Sequence, residues 1–539
     1  MKKYLVIIMI ALIAYYALFL PRELLIRSDS AKYLMLGRSL AAGTGYIDYY
    51  SPQPKINTLC FPGYPFLLSI AIRMLGDNIL LLRAFMVAMS GLCLVVLIGI
   101  LRRYLEGKEL LFVFLLFGLS PLFIAFTNMF ATEVPYMLFS WLAILILNKE
   151  RKLTHSTTLR VNPESLDFAR DGALVEPQAP TFKAESVEGL TWAMVLAAAL
   201  AMIIGFYIRP VGIILYVSLI IYLLMRRENK YILPLVLLLG LSVLPWVIRV
   251  AMSDCGYHTT FMFKDPYNFS LGIITSSDML VRILSNIKYY IGKVAADLIF
   301  FPCFKEITFG SVIFPVKIFL SFTFSLLFIT AFFSYVRHKG IGIAEIYVLI
   351  YSISLIFWTY HDERFFIPIY PFLISYLLIF LRRPKMRLVG NIIIFALLAG
   401  LILGNIKALK ELARGERGKS FFETMAWLRA NMPPDAAIMS QDPAGTYLYS
   451  ERKGIFLTRQ SNITDTINAI KKNGISYVII GEGGLTNAGR KQSDVDIWLK
   501  PILEQYPGCL SVIYESSHEP KVFVYKIENN NSIASFSHE

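Results

Sequence analysis

Apolar residues in this chain do not recur at the 3.6-residue spacing of a surface helix or the alternate spacing of a half-buried strand. They come in blocks of about 17 to 24 residues with hardly a charge inside, the length that crosses a bilayer core. The pattern predicts a polytopic α-helical membrane protein with about eleven transmembrane helices in residues 1–405. After Gly404 charges return every few residues and apolar runs shorten, which predicts a water-soluble C-terminal α/β domain over 406–539. In that domain a helix is expected at Phe421–Asn431. β-type runs follow at Ala436–Met439, Tyr477–Ile480, Leu510–Tyr514 and Lys521–Ile527, with a helix at Val495–Tyr506 among them.

Orientation follows from the basic residues. The apolar run from Lys2-Lys3 to Leu20 lacks a small-x-small cleavage site, so it reads as a retained first helix that starts inside. Propagated along the chain, every cytoplasmic end then carries a basic cluster: Arg102-Arg103, Lys149 to Lys152, Arg226-Arg227, Arg337 to Lys339 and Arg382 to Lys385. Two long loops, 21–78 and 251–314, fall outward, as does the C-terminal domain, while a polar insertion over 149–189 falls inside. The first loop holds an amphipathic stretch at Ala31–Ala42 and an interfacial helix begun by Phe61-Pro62-Gly63-Tyr64-Pro65 and ending near Leu75. The second holds an amphipathic stretch at Met279–Ile299.

Composition agrees, with 56% hydrophobic and only 17% charged residues, against about 25% charged in a soluble chain. The net charge of +14 is accounted for by the cytoplasmic clusters, which argues against a nucleic-acid partner. Five scattered cysteines show neither CxxC nor metal-ligand spacing. Cys255 and Cys303 share the second outward loop and can pair there.

Charges at the outward helix ends are the candidates for chemistry, because ionisable groups near bilayer depth usually face a cavity or a partner. Asp29 lies just past helix one, where an N-cap is the plain alternative. Glu133 lies at the mouth of helix four, where it also complements the helix dipole. Arg209, Arg249, His361 and Arg364 stand on the side that positive-inside statistics disfavour. An interfacial phosphate, bound bidentately by arginine, explains them. Lipid headgroups, or ion pairs with acids such as Asp362 and Glu363, explain them equally.

Taken in order, several motifs resemble a family. They are Asp29-x-x-x-Tyr33-Leu34, Gly43-x-Gly45-Tyr46, Pro62-Gly63-Tyr64-Pro65-Phe66-Leu67-Leu68, Thr132-Glu133-Val134-Pro135, Arg209-Pro210-Val211-Gly212, Pro245-Trp246-x-x-Arg249 and His361-x-x-Arg364-Phe365-x-x-Pro368. In the tail, Trp427-Leu428-x-x-Asn431-x-Pro433-x-Asp435 and Tyr477-Val478 continue the series. Together they resemble the dolichyl-phosphate-mannose protein mannosyltransferase and aminoarabinose lipid A transferase superfamily, polyprenyl-phosphate-sugar glycosyltransferases of the GT-C fold. That family commonly has two adjacent acids after helix one, and Ser30 stands here in the second place.

The resemblance implies transfer of a sugar from an undecaprenyl- or dolichyl-phosphate carrier to a protein, lipid A or other glycan acceptor on the outer face of the cell membrane. It makes Asp29, part-buried in an outer cavity, the base for the acceptor. Arg209, Arg249, His361 and Arg364 would hold the departing phosphate. Glu133 would orient the acceptor or hold a divalent cation with Asp29, and Tyr33 and Tyr64 would belong to the donor and acceptor loop. A transporter or flippase would instead show inverted repeats and charges at mid-membrane. A noncatalytic polysaccharide-assembly scaffold would leave the outward basic residues scattered in space.

Overall fold

The computed structural model describes residues 2–20, 26, 28–148, 190–253, 259–265, 268–294, 314–414, 418–457, 463–481 and 500–528. The expected insertion over 149–189 and both Cys255 and Cys303 lie outside the described residues.

Among the described residues ten α-helices open the chain: α1 (Lys2–Leu18), α2 (Asp29–Ala41), α3 (Gly63–Leu75), α4 (Ile79–Leu101), α5 (Gly107–Gly118), α6 (Pro121–Thr127), α7 (Glu133–Leu147), α8 (Trp192–Ile208), α9 (Ile213–Met225) and α10 (Ile232–Ala251). Further helices run over Ser276–Tyr289, Phe314–Lys339, Ile343–Phe357, Tyr370–Leu381 and Arg387–Arg414. Among the described residues, four helices are long and apolar enough to cross a membrane, or five with α5 and α6 taken as one bent span. The remaining predicted spans are apolar helices of 10–17 residues. Large apolar side chains such as Leu233, Leu241, Phe319 and Phe395 are exposed along the long helices, as lipid-facing positions must be.

The predicted third span is where the structure departs from the expectation of straight helices. The α5 and α6 axes meet at 58°, because Ser120-Pro121 ends one helix and starts the next: proline has no N–H to continue the ladder. Side chains take up the freed carbonyls. Tyr16 Oη donates to Gly118 O at 2.7 Å and Asn405 Nδ2 to Leu119 O at 2.8 Å, which is how a broken helix survives among apolar neighbours.

Helices α2 and α3 lie on the first loop and pack on each other, with a two-residue antiparallel hairpin, Ile47–Asp48 against Lys55–Ile56, between them. Gly63 explains the Pro-Gly-Tyr-Pro start of α3. A Cβ there would stand 2.6 Å from the Tyr207 carbonyl carbon, so only glycine lets α3 sit against the end of α8. Gly212 serves the same purpose just after α8, where a Cβ would meet Phe206 N at 2.6 Å.

The C-terminal unit is a five-stranded sheet in the order Gly454–Phe456, Ala437–Ser440, Ile475–Gly481, Val522–Ile527, Leu510–Glu515. The first three strands are parallel and the last two antiparallel. Alternation sends Ile438 and Ile479 to one face, under the helix Lys419–Asn431, and Met439, Val478 and Ile480 to the other, against the helix Ile463–Asn473. This unit rests on the first loop. Gly454 N donates to Tyr50 O at 2.9 Å, Gln53 Nε2 donates to Lys472 O at 3.1 Å, and the Tyr49 and Tyr447 rings meet edge to face at 5.5 Å.

Candidate functional site

Three chain breaks meet at one carboxylate. Glu133 opens α7 and is 2% exposed. Arg209 ends α8 in an extended conformation (φ −143°, ψ 133°), which is what a following Pro210 imposes. That turn brings its guanidinium back to the bundle, with Nη1 at 3.3 Å from Glu133 Oε1. Arg364 comes from a 3₁₀ turn, Glu363–Phe366, begun by Asp362, whose side chain accepts from Arg364 N at 3.0 Å. Arg364 Nη1 lies 3.7 Å from the same Glu133 Oε1. Trp141 of α7 fixes that turn by donating Nε1 to Pro368 O at 2.9 Å.

The two arginines sit in an aromatic frame. The Phe365 ring lies 5.4 Å from the Arg209 guanidinium and 5.3 Å from that of Arg364, and Tyr136 lies 5.9 Å from Arg209. Arg209 Nη1 and Arg364 Nε are shielded from solvent and held by ion pairs alone, with Glu133 Oε1 at 3.3 Å and Asp362 Oδ2 at 3.5 Å, without a well-aligned hydrogen bond. Burial alone would pull the Arg364 pKa down, but the carboxylates of Glu133, Asp362 and Asp29 outweigh it and raise it above its ordinary value. The inner set thus brings two guanidinium groups to the one buried carboxylate of Glu133, with the more exposed Asp362 Oδ2 3.5 Å from Arg364 Nε. An oxyanion is the natural complement of such a set.

Asp29 and Tyr33 form the rim. Asp29 is the first residue of α2, and its side chain is 53% exposed, with Lys32 Nζ at 3.7 Å. The partial burial expected of it is thus not what the structure shows: it opens to solvent next to a lysine. Tyr33 and Tyr64 meet edge to face at 5.3 Å. Burial raises the Tyr33 phenol well above its ordinary value, Cys60, Asp29 and Glu133 add to this, and Arg209 opposes it. The phenol remains a neutral donor near the exposed acid and Arg209.

Two expected phosphate ligands stand elsewhere. Arg249 Nη2 donates to Tyr46 O at 2.8 Å and its Nε to Asn57 O at 3.3 Å, with the Tyr46 ring 5.4 Å away. Three residues earlier, Trp246 packs on Phe61 and Tyr46. The Pro245-Trp246-x-x-Arg249 motif thus buttresses the first loop, and its arginine is occupied with backbone carbonyls. His361 lies against the Tyr289 ring, 4.4 Å between centroids. Burial and Lys293 lower its pKa, with Asp362 partly offsetting them, so it is a neutral imidazole at pH 7.

Three tyrosines that the sequence does not single out form a cluster that reaches Arg209 through Tyr136. Tyr136 and Tyr347 share a hydroxyl contact of 3.1 Å, and the Tyr347 and Tyr351 rings meet at a tilt, 5.4 Å between centroids. A signal for them exists: Tyr136 follows Glu133 by three positions, and Tyr347 and Tyr351 make an i, i+4 pair on one helix. The divalent cation considered for Asp29 and Glu133 does not fit, since two guanidinium groups already face Glu133. Among the described residues no group of three or more His, Cys, Asp or Glu side chains comes together.

No protein-family model matches the sequence, and neither does any curated protein. Solved structures do. ArnT from Cupriavidus metallidurans bound to undecaprenyl phosphate is similar over 99% of both chains, with a TM-score of 0.54 at 13% identity. Its apo state gives 0.55 over the same share, also at 13% identity. The Archaeoglobus fulgidus oligosaccharyltransferase in its apo form gives 0.48 over 88% of this chain and 69% of that one, at 13% identity. The likeness to ArnT establishes the fold: this is a polytopic integral membrane protein of the GT-C architecture.

Proposed function

We propose that this chain is a membrane glycosyltransferase that moves a sugar from a polyprenyl-phosphate monosaccharide to an acceptor hydroxyl at the extracytoplasmic face. The observation that carries the reading is the convergence of Arg209 and Arg364 on Glu133 Oε1, at 3.3 and 3.7 Å. Two cations share one buried carboxylate, and Arg209 Nη1 and Arg364 Nε lie in ion pairs without a well-aligned hydrogen bond. A phosphate monoester suits such a pair, and it is the leaving group of this reaction. The fold supports it, since ArnT of the same architecture binds undecaprenyl phosphate.

In this reading the acceptor oxygen forms a bond to the anomeric carbon as the bond from that carbon to the phosphate oxygen breaks. The electron pair leaves with polyprenyl phosphate, whose charge Arg209 and Arg364 stabilise from fixed positions. The acceptor proton passes to Asp29. Tyr33, held neutral, donates a hydrogen bond at the rim, and Glu133 keeps the two arginines from repelling each other. Lys32 Nζ, 3.7 Å from Asp29 Oδ1, places a positive charge beside the carboxylate. Arg249 and His361 act on the walls of the site, by bracing the first loop and by packing on Tyr289.

The test is binding of a short-chain polyprenyl monophosphate to the detergent-solubilised protein, with the uncharged polyprenol as control. Arg209→Ala and Arg364→Gln each weaken monophosphate binding at least tenfold and leave polyprenol binding unchanged. Equal binding of the two lipids by the wild type, or unaltered monophosphate binding by both variants, contradicts the reading.

A further inference from the structure

The site's base belongs to the first loop, but two groups from the C-terminal unit hold the backbone that leads into it. Tyr449 Oη accepts from Ile26 N at 3.0 Å, and Asp442 Oδ2 accepts from Ser28 N at 2.7 Å. Asp29 is the next residue, the first of α2. Ser28 has φ 53° and ψ −128°, a conformation that L residues rarely adopt and that persists only where surrounding structure enforces it. The bond that enforces it is short and charge-assisted, and its acceptor is 3% exposed.

We infer that Asp442 and Tyr449 are positioning residues that set the direction of Asp29, so that the C-terminal unit completes the catalytic site. The inference rests on the proposed role of Asp29 as base. Both residues are themselves rigidly held. Asp442 Oδ1 accepts from Gly445 N at 3.1 Å and so caps the helix Pro443–Ser450, which packs on α2. The Tyr449 ring lies against Phe421 at 5.8 Å and Phe422 at 5.2 Å. Lys32, the partner of Asp29, is covered from the same side by Phe456, 4.7 Å from its Nζ. Docking alone is served elsewhere, by Tyr49, Tyr50 and Gln53. These two bonds instead fall on the amides upstream of the base, one of them on the residue whose backbone is strained.

The consequence is a loss of turnover without a loss of binding. Tyr449→Phe keeps the ring and removes the acceptor, and Asp442→Asn keeps the volume and turns an N–H₂ toward a donor. The double variant lowers kcat at least tenfold and leaves KM for donor and acceptor within twofold. Amides of residues 26 and 28 exchange with deuterium faster, while those of the helix Lys419–Asn431 exchange as in wild type. Ser28→Gly, which removes the steric penalty at φ 53°, restores part of kcat in the Asp442→Asn background. Wild-type transfer with an unaltered kcat in the double variant overturns this inference alone, as does a loss that Ser28→Gly fails to relieve. Absence of transfer from any donor by the wild type overturns the proposed function, and the positioning role with it.

Discussion

Arg209 Nη1 lies 3.3 Å from Glu133 Oε1, joining the break between α8 and α9 to the first turn of α7. The acid is 2% exposed, so its worth is decided by what its loss leaves behind. Glu133→Gln strands two cations in a poorly solvated place. Removing one partner of a buried ion pair costs about 3–5 kcal/mol. With Arg364 34% exposed, the lower end, about 3 kcal/mol, is expected. Thermal unfolding in detergent measures it, and the same variant binds polyprenyl monophosphate more tightly. A drop in phosphate affinity would show that Glu133 contacts the ligand directly.

Arg249 gives a contrasting expectation. Its bonds go to Tyr46 O and Asn57 O, so Arg249→Ala removes charge-assisted bonds worth about 1.5–3 kcal/mol and loosens the first loop. The intrinsic affinity for a polyprenyl phosphate then changes less than it does in Arg364→Gln. Binding measured below the unfolding range of each variant separates the two effects. A larger loss for Arg249→Ala would return it to the phosphate site.

His361 makes a prediction about pH. Burial and Lys293 hold its pKa below the ordinary 6.5, so the unfolded chain takes up the proton first. Its contribution to stability is complete above 6.5 and is lost as pH falls through the lowered folded value. His361→Gln flattens this section of the acid limb in an unfolding series from pH 7.5 to 5. At pH 7.5, where the imidazole is neutral, the same variant binds polyprenyl monophosphate as wild type does.

In the C-terminal unit, Glu423 gives a second expectation about pH. Glu423 accepts from Ser517 N at 3.1 Å and pairs with His518 at 3.1 Å. The His518 contact first, and then the Ser517 backbone and hydroxyl, hold its pKa at about 2 against an ordinary 4.5. A lowered acid stabilises the fold above its unfolded value, and that stability is lost between pH 4.5 and about 2. Glu423→Gln starts less stable at neutral pH and changes less over that window. Unfolding curves that stay parallel down to pH 2 would remove Glu423 from the account.

Which features are legible in the sequence follows from the kind of information each needs. Apolar blocks and basic ends are local, so the helical segments and the two amphipathic helices of the first loop can be read directly. The α5–α6 break is not, although Ser120-Pro121 is visible, because an uninterrupted apolar run outweighs one proline. The strand Gly454–Phe456 has three residues, too few for an alternation to register. At the site, position along the chain shows that Glu133, Arg209, Arg249, His361 and Arg364 share one end of the bundle. It cannot show that only Glu133, Arg209 and Arg364 converge, since that depends on the turns at Pro210 and Asp362. Arg249 and His361 look equivalent to them in the sequence because a helix end records depth and not partners.

The most direct test of the central claim is transfer of labelled sugar from a panel of synthetic polyprenyl-phosphate monosaccharides by the purified protein in liposomes, with Asp29→Asn alongside. The account predicts that the wild type consumes at least one donor, by transfer or slow hydrolysis, and that Asp29→Asn folds normally and loses transfer at least a hundredfold. Consumption of no donor, or normal turnover by Asp29→Asn, would contradict it.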